Sequence, residues 1–368
     1  MATYEDALTA LNPFRVQLQH EVFADIERQS ERQSVGRLTA FSAGGATSAF
    51  STALTNIHAT GVGVRIRAGT IVPDEFVIKV YVFEKLDLGA EAPFLTKRFG
   101  NIEIDVEPLP VQLAAARNVR HLRAPVRAPA AAIANRGQFR PIPGGVSISP
   151  LDARFVGTLG CFVRGVSAGA EQLFALSNNH VLADVDNLPT GTAIVQPGPE
   201  VSATDPDDVF AMLSNTVPLQ FPTTRFERRI NLFDAAIARV TDPQLISTTQ
   251  VLGIPNYSAV LSSAIPGMPV TKSGRTTGVT TGMVTATHVN GVQVNYGTQA
   301  NPRIAVFDGT IQIIGDDGQP FSLPGDSGSV IIERATGNVV ALLFAGDGRT
   351  TTTCDLGAVC RQFQVIPT

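Results

Sequence analysis

The sequence predicts a mainly β chain, and three observations carry that reading. Glycine (33 residues) and proline (24) are abundant while tryptophan is absent. Apolar runs are short throughout. The second half sets such runs at close spacing with turn residues between them: "GTLGCFVRG", "EQLFALSNNHVLA", "NLFDAAIARV", "MPVTKSG", "TGMVTATHV", "GVQVNY", "IAVFDGTIQII", "DSGSVIIE" and "VVALLFAG". Many short strands punctuated in this way build sandwiches or barrels. At 368 residues the chain is longer than one compact core usually serves, so two domains plus extras are expected.

Taken in order, residues 4 to 33 read as helix. Asn12 and Pro13 have the form of an N-cap followed by proline in a first turn. Phe14, Leu18, Val22 and Ile26 recur every four residues and share one face. Residues 34 to about 59 are small, polar and rich in Gly, Thr and Ser, the composition of a loosely ordered segment. "GVGVRIRAG" then alternates, "FVIKVYVFEK" is a strong strand, and "NIEIDVEPLP" places Ile102, Ile104 and Val106 on one side. "LAAARNVRHLRAPVRAPAAAIANRGQFRPIPGG" is rich in Ala, Arg and Pro and reads as a linker. The expected organisation is an N-terminal helical arm with a loose segment (1–57), a small α/β or β accessory domain (58–115), a linker (116–145) and a β-rich domain (146–368). The accessory domain shows no clustered His, Cys or carboxylates and reads as structural or regulatory. The arm either packs on its own chain or offers residues 1–33 to a protein partner or a second copy.

Several functions are disfavoured by bulk chemistry. The formal net charge of −4 lacks the basic face that phosphate-backbone binding needs, so no nucleic acid is expected. No apolar run approaches the roughly 20 residues of a membrane span, and "MATYEDALTALNPFRVQLQHEVF" has early acids and no uninterrupted apolar core, unlike a secretory signal. Three cysteines, Cys161, Cys354 and Cys360, are too few and too odd for a disulfide framework. A reducing, cytoplasmic setting is the expectation. The five histidines (20, 58, 121, 180 and 288) show no metal-ligand spacing on a helix, so neither metal nor organic cofactor is expected.

The chemistry concentrates in three stretches. "FSLPGDSGSVII" breaks an apolar run with a turn that holds Ser327 between Asp326 and Gly328. Tight turns favour these residues for backbone reasons, and a nucleophile needs the same exposed hydroxyl and free N–H groups. Serine acyl transfer also requires an imidazole to take the proton and a buried carboxylate to orient it. Only His180, in "ALSNNHVLAD", ends an apolar segment within the β-rich region. Asp234, in "NLFDAAIARV", has apolar neighbours that imply burial, and a buried lone carboxylate needs donors. Asp184 and Asp186 lie in a polar loop and suit that role less well. The chain order His180, Asp234, Ser327, with a strand after the serine, does not match a Gly-x-Ser-x-Gly elbow between strand and helix.

"GDSGS" resembles the nucleophile turn of chymotrypsin/trypsin-like serine proteases, and "LSNNHVLA" resembles their histidine segment. Separations of 54 and 93 residues between the three positions suit a double β-barrel of that kind. "KSGRTTGVTTGMVTATHV" (272–289) resembles a segment of the alpha-lytic and Streptomyces proteases. The whole arrangement over about 58–368 looks closest to the intracellular family of the plant narrow-leaf protein and its bacterial relatives, while residues 1 to 57 fall outside it.

The resemblance implies that Ser327 is the nucleophile, His180 the general base and Asp234 its orienter, with the N–H groups of Gly325 and Ser327 as oxyanion hole. It implies a basic side chain before "SG" in the role that a freed N-terminus plays in digestive enzymes, hence an Asp326–Lys272 pair and no zymogen cleavage of that type. The secreted bacterial enzymes carry cysteines around this segment, where Thr271 and Thr281 stand here, and their second glycine after the serine is Ser329. By alignment on the serine, Phe321 falls at the base of the substrate pocket, with Leu343, Phe344, Ala345 and Gly346 as its wall. No acid sits at that base, which points to a small or medium apolar side chain before the scissile bond. The resulting expectation is an intracellular serine endopeptidase, a regulated processing enzyme acting on protein or peptide. The alternative is a catalytically silent scaffold working through partner binding.

Overall fold

The computed structural model describes residues 2–36, 56–84, 97–114, 135–166, 172–199, 205–223, 227 and 229–368, with backbone alone at 22–36. Most of the predicted loose segment, most of the linker with His121, and the side chains of Val22 and Ile26 lie outside the described residues.

The fold is mainly β and contains two barrels. In the first, strands pair antiparallel in the order Ser147–Pro150, Ala193–Val195, Val209–Thr216, Ala236–Val240, Leu173–Ser177, Cys161–Gly165. The short strand Gly157–Thr158 returns to Ser147–Pro150, and Leu159 N–H donates to Val146 O at 2.9 Å, so the 157–165 stretch joins both ends of the order. Ile148, Phe162, Phe210, Leu213 and Val181 fill its core.

The second barrel closes completely. Pro269–Gly274 pairs with Gly278–Asn290, then follow Thr310–Gly315, Thr350–Asp355, Asn338–Gly346 and Val330–Glu333, which returns to Pro269–Gly274. Val270, Val284, Ile313, Phe321 and Ile331 lie inside it. A larger cluster, including Val163, Leu176 and Ile237 from the first barrel and Val330, Leu342 and Phe344 from the second, packs the two together. Closure leaves the second barrel no long free edge.

The predicted strands at 57–108 extend the second barrel's sheet. Ile57–Arg67 and Thr70–Val82 form a hairpin through Ala68 and Gly69, both at positive φ. Ile102–Pro108 lies parallel to Thr70–Val82, and Ile57–Arg67 pairs antiparallel with Gly278–Asn290. The glycines of "GVGVRIRAG" have a reason at this seam: a Cβ at Gly63 would stand 2.3 Å from Thr285 O.

Across the outer strands lies the helix Tyr4–Gly36. Its start corrects the reading at Asn12 and Pro13, because the helix begins at Tyr4 and contains Pro13. Thr3 Oγ1 accepts from Asp6 N–H at 3.1 Å and Thr3 N–H donates to Asp6 Oδ2 at 2.9 Å, a reciprocal cap. Ala7, Leu11 and Phe14 are buried against Val62, Ile78, Val80 and Ile102. That burial holds the helix through a proline that removes one backbone bond. Among the described residues no helix is long and apolar enough to cross a membrane. The three cysteines are free and buried.

Leu11 is central to this docking, so Leu11→Ala should lower unfolding free energy by about 2–4 kcal/mol. A urea titration that shows no loss would mean the arm does not pack as described.

Candidate active site

Pairing in the first barrel builds half of the site. Ser177 lies opposite Ala236. The short helix Asn179–Leu182 starts just beyond Ser177, and Asp234 stands just before the Ala236–Val240 strand. The side chains of His180 and Asp234 therefore meet: His180 Nδ1 and Asp234 Oδ2 are 2.5 Å apart. His180 N–H also donates to Asp234 Oδ1 at 3.2 Å, and Asn178 Nδ2 donates to Asp234 O at 2.7 Å. Asp234 has no solvent exposure; the backbone N–H and ring Nδ1 of His180 engage its carboxylate, which burial alone would penalise, while Asn178 holds its backbone carbonyl. An ionised carboxylate accepts only, so it holds the proton on Nδ1 and leaves Nε2 as the acceptor. Nε2 is one of three buried side-chain polar atoms without a partner among the described residues.

Tyr296 is a contributor that the sequence reading missed. Its hydroxyl donates to Asp234 Oδ2 at 2.7 Å, and its ring stands edge-on to His180 with centroids 5.9 Å apart. Burial, then the neighbouring Asp234, pushes the phenol pKa well above its ordinary value, so it remains a donor. No local motif marks Tyr296, which follows a strand 62 positions away from its partner. Asp186, set aside as the orienting acid, instead accepts from Asn179 Nδ2 at 2.6 Å and from Leu219 N–H at 2.8 Å, bracing the residue next to His180.

The second barrel supplies the serine turn. Ser327 is 3% exposed, and its carbonyl accepts from Thr158 N–H at 2.8 Å. Gly328 has φ +95, and a Cβ there would lie 2.2 Å from both Ser177 Oγ and Thr158 O. Only glycine permits so close an approach of the turn to the strand that leads to His180. Within the turn, Asp326 N–H, Gly328 N–H and Ser329 N–H donate to Leu323 O, Leu343 O and Asp326 O. The N–H groups of Gly325 and Ser327 have no acceptor among the described residues, which leaves them available to an anion. At Ser329 the hydroxyl donates to Asp326 O at 2.7 Å, closing the turn.

Asp326 holds this turn from beneath. Its carboxylate accepts from Leu323 N–H at 3.0 Å, Thr276 N–H at 2.8 Å, Thr277 N–H at 3.2 Å and Thr277 Oγ1 at 2.7 Å. Lys272 Nζ lies 3.4 Å from Asp326 Oδ2, with both side chains fully buried. The ammonium also donates to Thr277 Oγ1 and, at 3.1 Å, to Gly278 O. Burial pulls the Lys272 pKa below the ordinary lysine value, while Asp326 opposes that shift.

Of the remaining predicted positions, Phe321 and Leu343 lie in the core of the second barrel. Phe344 and Ala345 lie in the cluster between barrels, with the Phe344 and Phe307 rings 4.7 Å apart. Gly346 is half-buried, and a Cβ there would meet Thr350 O at 3.1 Å. Among the described residues no group of three or more His, Cys, Asp or Glu comes together as a metal would require.

No protein-family model and no curated protein matches this chain. Solved structures with similarity include Thermobifida fusca protease A (17% identity, TM-score 0.41, covering 61% of this chain and 97% of that one). A Nocardiopsis protease (18%, 0.41, 61% and 97%) and a Cellulomonas bogoriensis chymotrypsin (17%, 0.40, 62% and 98%) are similar to the same degree.

Two outcomes follow from this geometry. Tyr296→Phe removes one hydrogen bond to a charged group, worth about 1.5–3 kcal/mol, and should slow serine phosphonylation roughly tenfold or more without unfolding the chain. An unchanged rate would show that Tyr296 does not support Asp234. Lys272→Met strands a buried carboxylate and should cost about 3–5 kcal/mol of stability. The double change with Asp326→Asn should recover part of it in a thermal melt, and no recovery would show that the two groups do not act as a pair.

Proposed function

We propose that the protein is a serine endopeptidase in which Ser327 attacks a peptide carbonyl, His180 takes and returns the proton, and Asp234 orients the imidazole. The observation that carries this reading is the His180–Asp234 pair with Nε2 buried and unpaired, beside a serine turn with two unengaged N–H groups.

The steps follow from these atoms. Nε2 accepts the Ser327 hydroxyl proton as the oxygen adds to the carbonyl, and the resulting imidazolium is stabilised by Asp234. The tetrahedral oxygen takes hydrogen bonds from the N–H groups of Gly325 and Ser327, a contribution of about 2.7–4 kcal/mol per donor in acyl-transfer enzymes. Collapse passes the proton from Nε2 to the leaving amine and leaves an acyl-serine, which water cleaves by the same route in reverse. The Lys272–Asp326 pair keeps the turn in its working shape and makes an N-terminal ammonium unnecessary.

Preference for a small or medium apolar side chain before the scissile bond rests on alignment at the serine alone, since Phe321 is packed in the core of the second barrel. A cytoplasmic processing enzyme with few targets accords with the cysteine content, and kinship with the narrow-leaf protein family rests on the motifs quoted above. Broad digestion of casein by the purified chain would end the restricted-target part of the reading.

A fluorophosphonate probe tests the chemistry. Wild type should label, while Ser327→Ala and His180→Ala should lose labelling by several powers of ten. A well-folded wild type that stays unlabelled would refute the proposal and return attention to the scaffold reading.

A further inference from the structure

The strand Asn338–Gly346 leads away from the serine turn, and its two edges are used differently along its length. From Ala341 to Gly346 one edge pairs with Thr350–Asp355, including Leu343 with Thr353 and Gly346 with Thr351. On the other edge, Leu343 exchanges hydrogen bonds with the serine turn: Gly328 N–H donates to Leu343 O at 2.9 Å and Leu343 N–H to Ser329 O at 3.0 Å. Three residues on, that same edge at Gly346 pairs antiparallel with Leu113. The stretch 344–346 is thus a sheet edge that begins at the nucleophile, the place where an extended peptide would add as a strand with its carbonyl brought to Ser327.

On the endopeptidase reading this edge receives the substrate; we propose that the chain's own residues 112–114 hold it, so that a substrate must displace them. The nature of the ligand rests on the endopeptidase reading above; the occupancy rests on the pairing alone.

Direction and fixation both support a built contact. Because the pairing is antiparallel, the chain from Gln112 to Ala114 runs back towards Leu343 and the serine turn. A substrate's residues before the scissile bond must have that polarity. On its other side the segment pairs parallel with Val292–Asn295, and Ala114 N–H donates to Asn295 O at 3.2 Å. Gln112 is fully buried, and its amide donates to Pro110 O and to Asp347 Oδ2, each at 3.0 Å. Asp347 is the residue directly after Gly346, so a buried side chain ties the segment to the end of the edge it covers. Upstream, Leu109 is buried and its carbonyl lies 2.8 Å from His58 Nε2. A segment tethered this closely competes at an effective concentration of about millimolar, which a dilute free peptide making the same contacts does not match.

The test uses the full chain carrying Ser327→Ala and a fluorescein-labelled peptide Leu-Pro-Val-Gln-Leu-Ala, the chain's own 109–114 sequence. Adding Gln112→Ala, which removes the ties to Pro110 and Asp347, should strengthen binding at least tenfold by anisotropy. In the chain with Ser327 intact, the same change should raise hydrolysis of extended peptides. Should Gln112→Ala fail to fold, Leu113→Pro at a position 43% exposed replaces it and carries the same expectation. Equal peptide affinity in the two folded chains would overturn the proposal. Fluorophosphonate labelling, read in parallel, separates the two claims. Tighter peptide binding without labelling upholds the covered edge and removes the endopeptidase reading. Labelling with equal affinity does the reverse.

Discussion

Asp326 is the constraint on which the site depends. A carboxylate with no solvent exposure sits beside Ser327 and gathers the backbone of Leu323, Thr276 and Thr277, the Thr277 hydroxyl and the Lys272 ammonium. Removing two charges from water is costly unless geometry and further hydrogen bonds compensate, and here both do. The result is a serine turn fixed to the Pro269–Gly274 and Gly278–Asn290 hairpin inside a closed barrel, with its Gly325 and Ser327 N–H groups left over. Rigidity of this kind is what preorganised donors need, because they act without rearranging as charge develops.

The other half of the site belongs to the first barrel, and glycine lets the halves meet. Gly328 presents its backbone to Ser177 and Thr158, and Gly160 would place a Cβ 2.6 Å from Gly328 O. Side chains at either point would push the serine turn away from the strand Leu173–Ser177 that leads to His180. Tyr296 crosses in the opposite sense, reaching from the second barrel's sheet to Asp234. The imidazole and its carboxylate are thus held from both sides, and the cluster between barrels sets the geometry of the candidate site as well as stability.

What the sequence made legible follows from how local each signal is. His180, Asp234 and Ser327 stand out because turn chemistry and apolar flanks mark them within a few residues. Lys272 became visible only through a resemblance, since nothing about a lysine in "VTKSG" implies burial. Tyr296 and Gln112 carry no local mark, and their partners lie 62 and 235 positions away. The arm misled in a different way. Asn12 and Pro13 have the composition of a helix start, but tertiary burial of Ala7, Leu11 and Phe14 carries the helix past them. Alternation announced the strands at 57–108, whereas their continuity with the second barrel depends on backbone contact at Gly61 and Gly63, which composition does not express.

A crystal structure of the phosphonylated protein tests the central claim, that two barrels assemble one acyl-transfer site, most directly. The account predicts phosphorus on Ser327 Oγ, a phosphoryl oxygen between the N–H groups of Gly325 and Ser327, and His180 Nε2 within hydrogen-bond distance of the adduct. Phosphorus on another residue, or an oxygen turned to solvent with Nε2 remote, would contradict it.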